Sequence, residues 1–208
     1  MTPEELAAGM TEARRAGRRV AAHAHGADGM KNAIRAGAHS IEHATLMDEE
    51  AAGLMREYGV FMVPTLSALA TTAACGLTCG IPESALMKAK SMQARHEASF
   101  KKAARAGINI ALGTDAGTPF NYHGENAQEL ERMVALGMTP MEALVAATSA
   151  AATLLGLGQT LGTIEPGKDA DLLVIDGHPL KRVAVLRDRD KLHGVMQAGR
   201  FVSGPLSQ

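Results

Sequence analysis

Residues 20–26 read Val20-Ala21-Ala22-His23-Ala24-His25-Gly26, a short apolar run that passes into two histidines and stops at a glycine. A strand covered on both faces reads as unbroken apolar sequence, and in parallel α/β folds ligands collect where such strands end. The stretch therefore predicts a buried parallel strand at residues 20–22 with His23 and His25 at its mouth. For either histidine alone the plain alternative is a ring bonded to backbone carbonyls at a strand end. Their meaning depends on what else reaches that mouth.

The strand is introduced by Arg15-Ala16-Gly17, and the same punctuation recurs at Arg35-Ala36-Gly37, Arg56-Glu57-Tyr58-Gly59 and Arg105-Ala106-Gly107, each time before an apolar run. An arginine in the last helical turn faces the negative helix end, and the glycine supplies the left-handed cap. Four such units predict four parallel strands, at 20–22, 38–42, 60–65 and 108–113, laid side by side in one curved sheet by right-handed crossovers. An Ala/Thr/Gly-rich stretch to Pro82 reads as a loop or lid, followed by a long helix at 84–106. Further helices are expected at 126–135 and 139–155, the second capped by Thr139 with Pro140 in its first turn. At the start, Thr2, Pro3 and Glu5 spell a capping box. From Gly162 the pattern changes to a Pro166-Gly167 turn, a strand at 172–175 and a hairpin at 195–202. The expected organisation is a parallel βα unit at 1–159 and a small β unit at 160–208.

Composition narrows the classes of function. Lys and Arg total 21 against 22 acids, so there is no basic field to hold nucleic acid or an anionic membrane. Aromatic residues are only 3% of the chain, which favours close helix packing by small side chains over an all-β sandwich. No apolar run approaches the length of a membrane span. Cys75 and Cys79 have neither redox nor zinc-ribbon spacing and read as reduced. His96, with Lys88 to Lys102, reads as a solvated helix face, and His178 and His193 belong to the β appendage.

The strand ends supply His23 and His25, then His43, then Thr65, then Asp115. Histidines and a carboxylate from successive parallel strands converge on one face, and such a set suits zinc or a similar divalent ion. His39-x-x-Glu42-His43 resembles an inverted zinc-protease motif, which needs a helix. Gly37 and Asp48 leave too little room for one, so His43 is assigned to the mouth and His39 to a structural position below it.

Val-Ala-Ala-His23-Ala-His25-Gly, Ser-Ile-Glu-His43-Ala-Thr, Leu-Gly-Thr-Asp115-Ala-Gly, His123-Gly-Glu-Asn-Ala-x-Glu-Leu and Gly-Thr-Ile-Glu-Pro-Gly-Lys-Asp169-Ala-Asp171-Leu together resemble the amidohydrolase superfamily, in its imidazolonepropionase and Xaa-Pro dipeptidase (prolidase)-like branch. The resemblance implies the C-terminal half of a (β/α)8 TIM-type barrel with a C-terminal β-sandwich appendage. It implies a metal site of His23, His43 and Asp115, with Asp115 also shuttling the proton. His25 is implied either to meet the substrate's carbonyl or carboxylate or to support the ligands. His123 follows Asp115 by a short loop and is expected to lie at the surface or to approach substrate. Glu165, Asp169 and Asp171 are expected to serve turns and packing.

The first-strand His-x-His and the fourth-strand lysine of complete members have no counterpart here, so half the ligands are expected to be missing. Two zinc ions are implied for the complete enzyme and at most one for this chain. The expected reaction is metal-dependent hydrolysis of an amide or peptide C–N bond in a dipeptide, N-acyl amino acid or cyclic amide. The competing expectation is a non-catalytic fragment that binds metal weakly. Exposed strand edges predict a homo-oligomer or a complex with the missing barrel half; a cytoplasmic location is the default.

Overall fold

The computed structural model describes residues 1–77 and 80–207. Helix α1 (Pro3–Arg15) opens with the expected capping box between Thr2 and Glu5. Then come β1 (Ala21–Gly26), α2 (Ala27–Ala36), β2 (Ser40–Leu46), α3 (Glu49–Glu57) and β3 (Phe61–Val63). The three strands are parallel in the order β1-β2-β3. Gly17, Gly37, Gly59 and Gly107 all take positive φ, so the repeated Arg-to-Gly signal marks true left-handed helix ends.

The strand boundaries shift toward the C-terminus. β1 runs through both histidines to Gly26, and β2 begins at Ser40 and continues past His43 to Leu46. The fourth expected strand is reduced to a single parallel bridge between Met62 and Ile110. Two hydrogen bonds hold it, Met62 N to Asn109 O and Ala111 N to Met62 O. Leu112 N instead donates to Ala146 O, on a helix.

That last bond has a second effect. The single helix expected at 139–155 is two, α7 (Pro140–Ala147) and α8 (Ser149–Leu155), broken at Thr148. The Ala146 carbonyl, engaged by Leu112, marks the place where the helical ladder stops. The stretch after Thr65, read as a loop, holds helix α4 (Leu66–Cys75), in keeping with its alanines. Cys75, at its end, is disulfide-bonded rather than reduced; Cys79 lies outside the described residues. Helix α5 (Glu83–Arg105) and α6 (Ala127–Ala135) fall close to their expected places.

The core lies between the sheet and its helices and is filled by Met30, Ile34, Ile41, Met55, Met62, Phe100 and Met133, all essentially inaccessible to water. Methionine's flexible thioether fills the gaps that aromatic rings fill elsewhere. The C-terminal sheet is antiparallel, β4 (Leu172–Ile175), β5 (Leu192–Gln197) and β6 (Arg200–Ser203) in that order. Ala198 and Gly199, both at positive φ, close the β5–β6 hairpin, and the Ala198 amide donates to Asp171. Val183, from the segment between β4 and β5, is buried in the same core as the barrel helices. Among the described residues, no helix is long and apolar enough to cross a membrane.

Candidate metal centre

His23 and His25 are two residues apart on β1 and so emerge on one face, with Ala24 buried behind them. The register pairs Ala24 with His43. Side chains of parallel partners point the same way, so a regular strand would send His43 away from the other two. The backbone prevents this: His43 and Ala44 take φ of 70° and 50°, in the left-handed region. The ring is thereby brought to 4.5 Å from His23 and 4.8 Å from His25, centroid to centroid. His43 Nε2 lies 2.9 Å from His23 Nδ1. Thr65 (φ 51°) and Asp115 (φ 55°), at the next two strand ends, also take left-handed conformations. Non-glycine residues held this way cluster where function demands a side-chain direction that ordinary backbone cannot supply.

The distorted strand end is held from outside. The buried ring of His96 on α5 donates from Nε2 to the His43 carbonyl, and Ser99, one turn later, donates to the Ala44 carbonyl. His96 is therefore not part of a solvated face. Lys88, Lys90 and Arg95 are exposed as expected, but Lys101 and Lys102 are only partly so, and α5 lays Ala89, His96, Ser99 and Phe100 inward. His39 bonds through Nδ1 to the Val20 amide at the foot of the sheet, the structural place expected of it.

Two of the three histidines hold Nδ1 against a threonine hydroxyl. His43 Nδ1 meets Thr65 Oγ1 at 2.7 Å, and His25 Nδ1 meets Thr45 Oγ1 at 2.8 Å. Burial pushes the His43 pKa down to about 4, assisted by His25 and His23 and opposed by Asp115. His25 is lowered too, by burial first and then by His23, with Lys88 on α5 acting in the same sense. The His25 and His43 rings are thus kept neutral near pH 7, the state in which imidazole binds metal.

His23, His25 and His43 each offer a ligand nitrogen, all within 4.8 Å of one another. Asp115 is exposed and lies outside that group, yet its charge acts on His25, His43 and Glu42. Glu42, paired in register with His23, is half-buried; burial raises its pKa, while a bond from Ser40 opposes the rise. His123 is exposed and stands beside the Gly117 turn that follows Asp115. The sequence reading missed His96, Ser99 and Glu129. Glu129 stood in the quoted His123-to-Leu130 motif, and a carboxylate on the inward face of an amphipathic helix was the available signal.

The amidohydrolase family model matches residues 1–202. Ochratoxinase of Aspergillus niger is 35% identical over 206 residues, which are 98% of this chain and 42% of that protein. Among solved structures, a Xaa-Pro dipeptidase with methionine bound in its active site superimposes with a TM-score of 0.89 at 42% identity, over 98% of this chain and 49% of the other. A prolidase complexed with N-methylphosphonate-L-proline gives 0.90 at 33% identity, over 98% of this chain and 50% of the other. The chain thus spans about half the length of the proteins it matches. Within that span the likeness is continuous, from the first helix through the histidine strands to the final hairpin, and the chain belongs to the amidohydrolase family.

Proposed function

We propose that this chain carries half of the active site of a metal-dependent hydrolase acting on amide or peptide C–N bonds, in dipeptides or N-acyl amino acids first and cyclic amides second. The observation that carries the reading is the group of three imidazoles gathered at the C-terminal ends of parallel strands. That donor set fits zinc, which takes imidazole nitrogen readily and leaves a position open in catalytic sites. His23 and His43 hold the ion and Asp115 completes the set. When bound, the ion acts as a Lewis acid toward a substrate carbonyl and lowers the pKa of a water.

The remaining work falls to the chain's own residues. Asp115, exposed but near enough for its charge to act on His25 and His43, takes the proton of the attacking water and delivers it to the leaving nitrogen. His25, fixed by Thr45, meets the substrate's carbonyl or carboxylate, and His123 closes the same mouth from the following loop. A second ligand set is favoured by one observation: His25, not Asp115, lies within the 4.8 Å group. In that arrangement three histidines hold the ion and Asp115 acts on the proton alone.

The partner is the other half of the barrel or a second copy of this chain. Among the described residues β1 has a neighbour on one side only, and the C-terminal sheet exposes Leu173, Val174 and Val202. Uncovered parallel edges and apolar sheet faces drive association.

Elemental analysis of protein purified without added metal tests the reading. About one zinc per chain is expected, lost in His23→Ala and His43→Ala; loss in Asp115→Asn or in His25→Ala tells which completes the set. Hydrolysis of Xaa-Pro dipeptides and N-acyl amino acids, by the chain and by the chain with its complementary half, tests the reaction. Retention of near-normal turnover by Asp115→Asn in an active assembly refutes its role as proton shuttle. A monodisperse monomer in light scattering refutes the association.

A further inference from the structure

Helix α4 begins at a residue whose hydroxyl is already in use. The first amides of a helix have no partner within it, and a Ser or Thr at the N-cap usually accepts from them. The N-cap of α4 is Thr65, in the left-handed conformation and making no capping bond. Its Oγ1 sits 2.7 Å from His43 Nδ1 instead. The capping is done from a distance. Glu129, in the first turn of α6, is fully buried and accepts from Leu66 N at 2.7 Å, from Ser67 N at 2.8 Å and from the Ser67 hydroxyl. A buried carboxylate satisfied by three donors is a rigid fixture.

The two arrangements compete for one hydroxyl. Were the start of α4 left uncapped, the N-cap hydroxyl, the usual acceptor at that position, would be drawn to turn onto it, and His43 would lose its partner. We propose that Glu129 is a positioning residue for the histidine site: by capping α4 in place of Thr65, it leaves the Thr65 hydroxyl to accept from His43 Nδ1–H, which fixes the tautomer that turns the Nε2 lone pair toward His23. Partners of this kind on the far nitrogen set both tautomer and ring direction of metal-binding histidines. The consequence for metal rests on the reading of His43 as a ligand; the tautomer does not.

The test uses the whole chain, labelled with nitrogen-15 histidine and free of metal, near neutral pH. Two-bond proton–nitrogen correlation spectra read the tautomer of each ring. The His43 signal is expected in the Nδ1-protonated form in the native protein and in Thr65→Ser, which keeps the hydroxyl. Thr65→Val and Glu129→Gln are expected to lower the ratio of that form by about fivefold, as befits one net hydrogen bond. The double variant is expected to fall no further than Thr65→Val. A folded Glu129→Gln chain with the native ratio overturns the proposal, as does additivity in the double variant. Where Glu129→Gln fails to fold, Ser67→Ala removes one of the three bonds and must move the ratio the same way; no movement overturns the proposal. Cobalt(II) titration of the same samples reads the metal assignment separately. A native chain that binds no cobalt, yet whose tautomer responds to Glu129→Gln, refutes the metal reading and upholds this one.

Discussion

Gly113 offers the sharpest test of how the fourth strand segment reaches the sheet. A methyl group built there points into Val63 Cγ1, well inside the roughly 3.5–4.0 Å of a normal carbon–carbon contact. The segment cannot drift away to make room, because it is fastened on both sides: Ala111 N bonds Met62 O at 3.0 Å, and Leu112 N bonds Ala146 O at 2.9 Å. Overpacking of a well-filled position costs about 1–3 kcal/mol, and Gly113→Ala is expected toward the upper end of that range. Val63→Ala alone removes two methyl-sized groups and is expected to cost about 1–2 kcal/mol. In the double variant the new methyl occupies the space vacated by Val63, so its cost should be close to that of Val63→Ala alone, a favourable coupling of about 1–3 kcal/mol. Urea denaturation followed by far-UV circular dichroism gives all three values. The same strain, two residues before Asp115, should displace that carboxylate. A Gly113→Ala protein within about 0.5 kcal/mol of the native chain, or strict additivity in the double variant, would refute the close-approach argument.

Acid should weaken the metal-free protein through its histidines. The His43 pKa is lowered from 6.5 to about 4 on folding, so the unfolded chain takes the proton first as pH falls. The stabilisation is complete above about 6.5 and is lost progressively down to about 4, by up to about 3 kcal/mol, with His25 adding in the same direction. Equal stability at neutral pH and near pH 5 would contradict this. His96→Ala leaves the His43 carbonyl without its donor and a cavity under the strand, for about 2–4 kcal/mol by denaturant titration. Lys90→Ala on the exposed side of the same helix should stay within about 0.5 kcal/mol, and equal effects would mean that His96 faces solvent. Thr139→Ala removes the capping box at α7 and should lower stability by about 1 kcal/mol.

Local signals were the legible part. The Arg-to-Gly helix ends, the caps at Thr2 and Thr139, the hairpin at 195–202 and the parallel order of the first three strands all follow from residues close together in sequence, where cap chemistry and glycine's tolerance of positive φ act directly. His23 and His43 could be placed at one mouth because equivalent positions in successive βα units must share an end of the sheet.

What the sequence left open depends on contacts between distant segments. Periodicity on α5 marks an exposed face in general terms, but only the docking of the helix decides that His96 belongs to the buried side and grips the His43 carbonyl. Regular strand geometry would turn His43 away from its partners. The left-handed turn at His43 and Ala44 is imposed by α5 and by Thr65, which no local rule at residue 43 contains. Thr65 reads only as a strand end, and nothing near it in sequence tells that Glu129, more than sixty residues later, caps the helix that follows. The sequence by itself determined which strand ends meet. The tertiary structure alone decided which way their side chains face, because that direction rests on backbone strain that only long-range packing can hold.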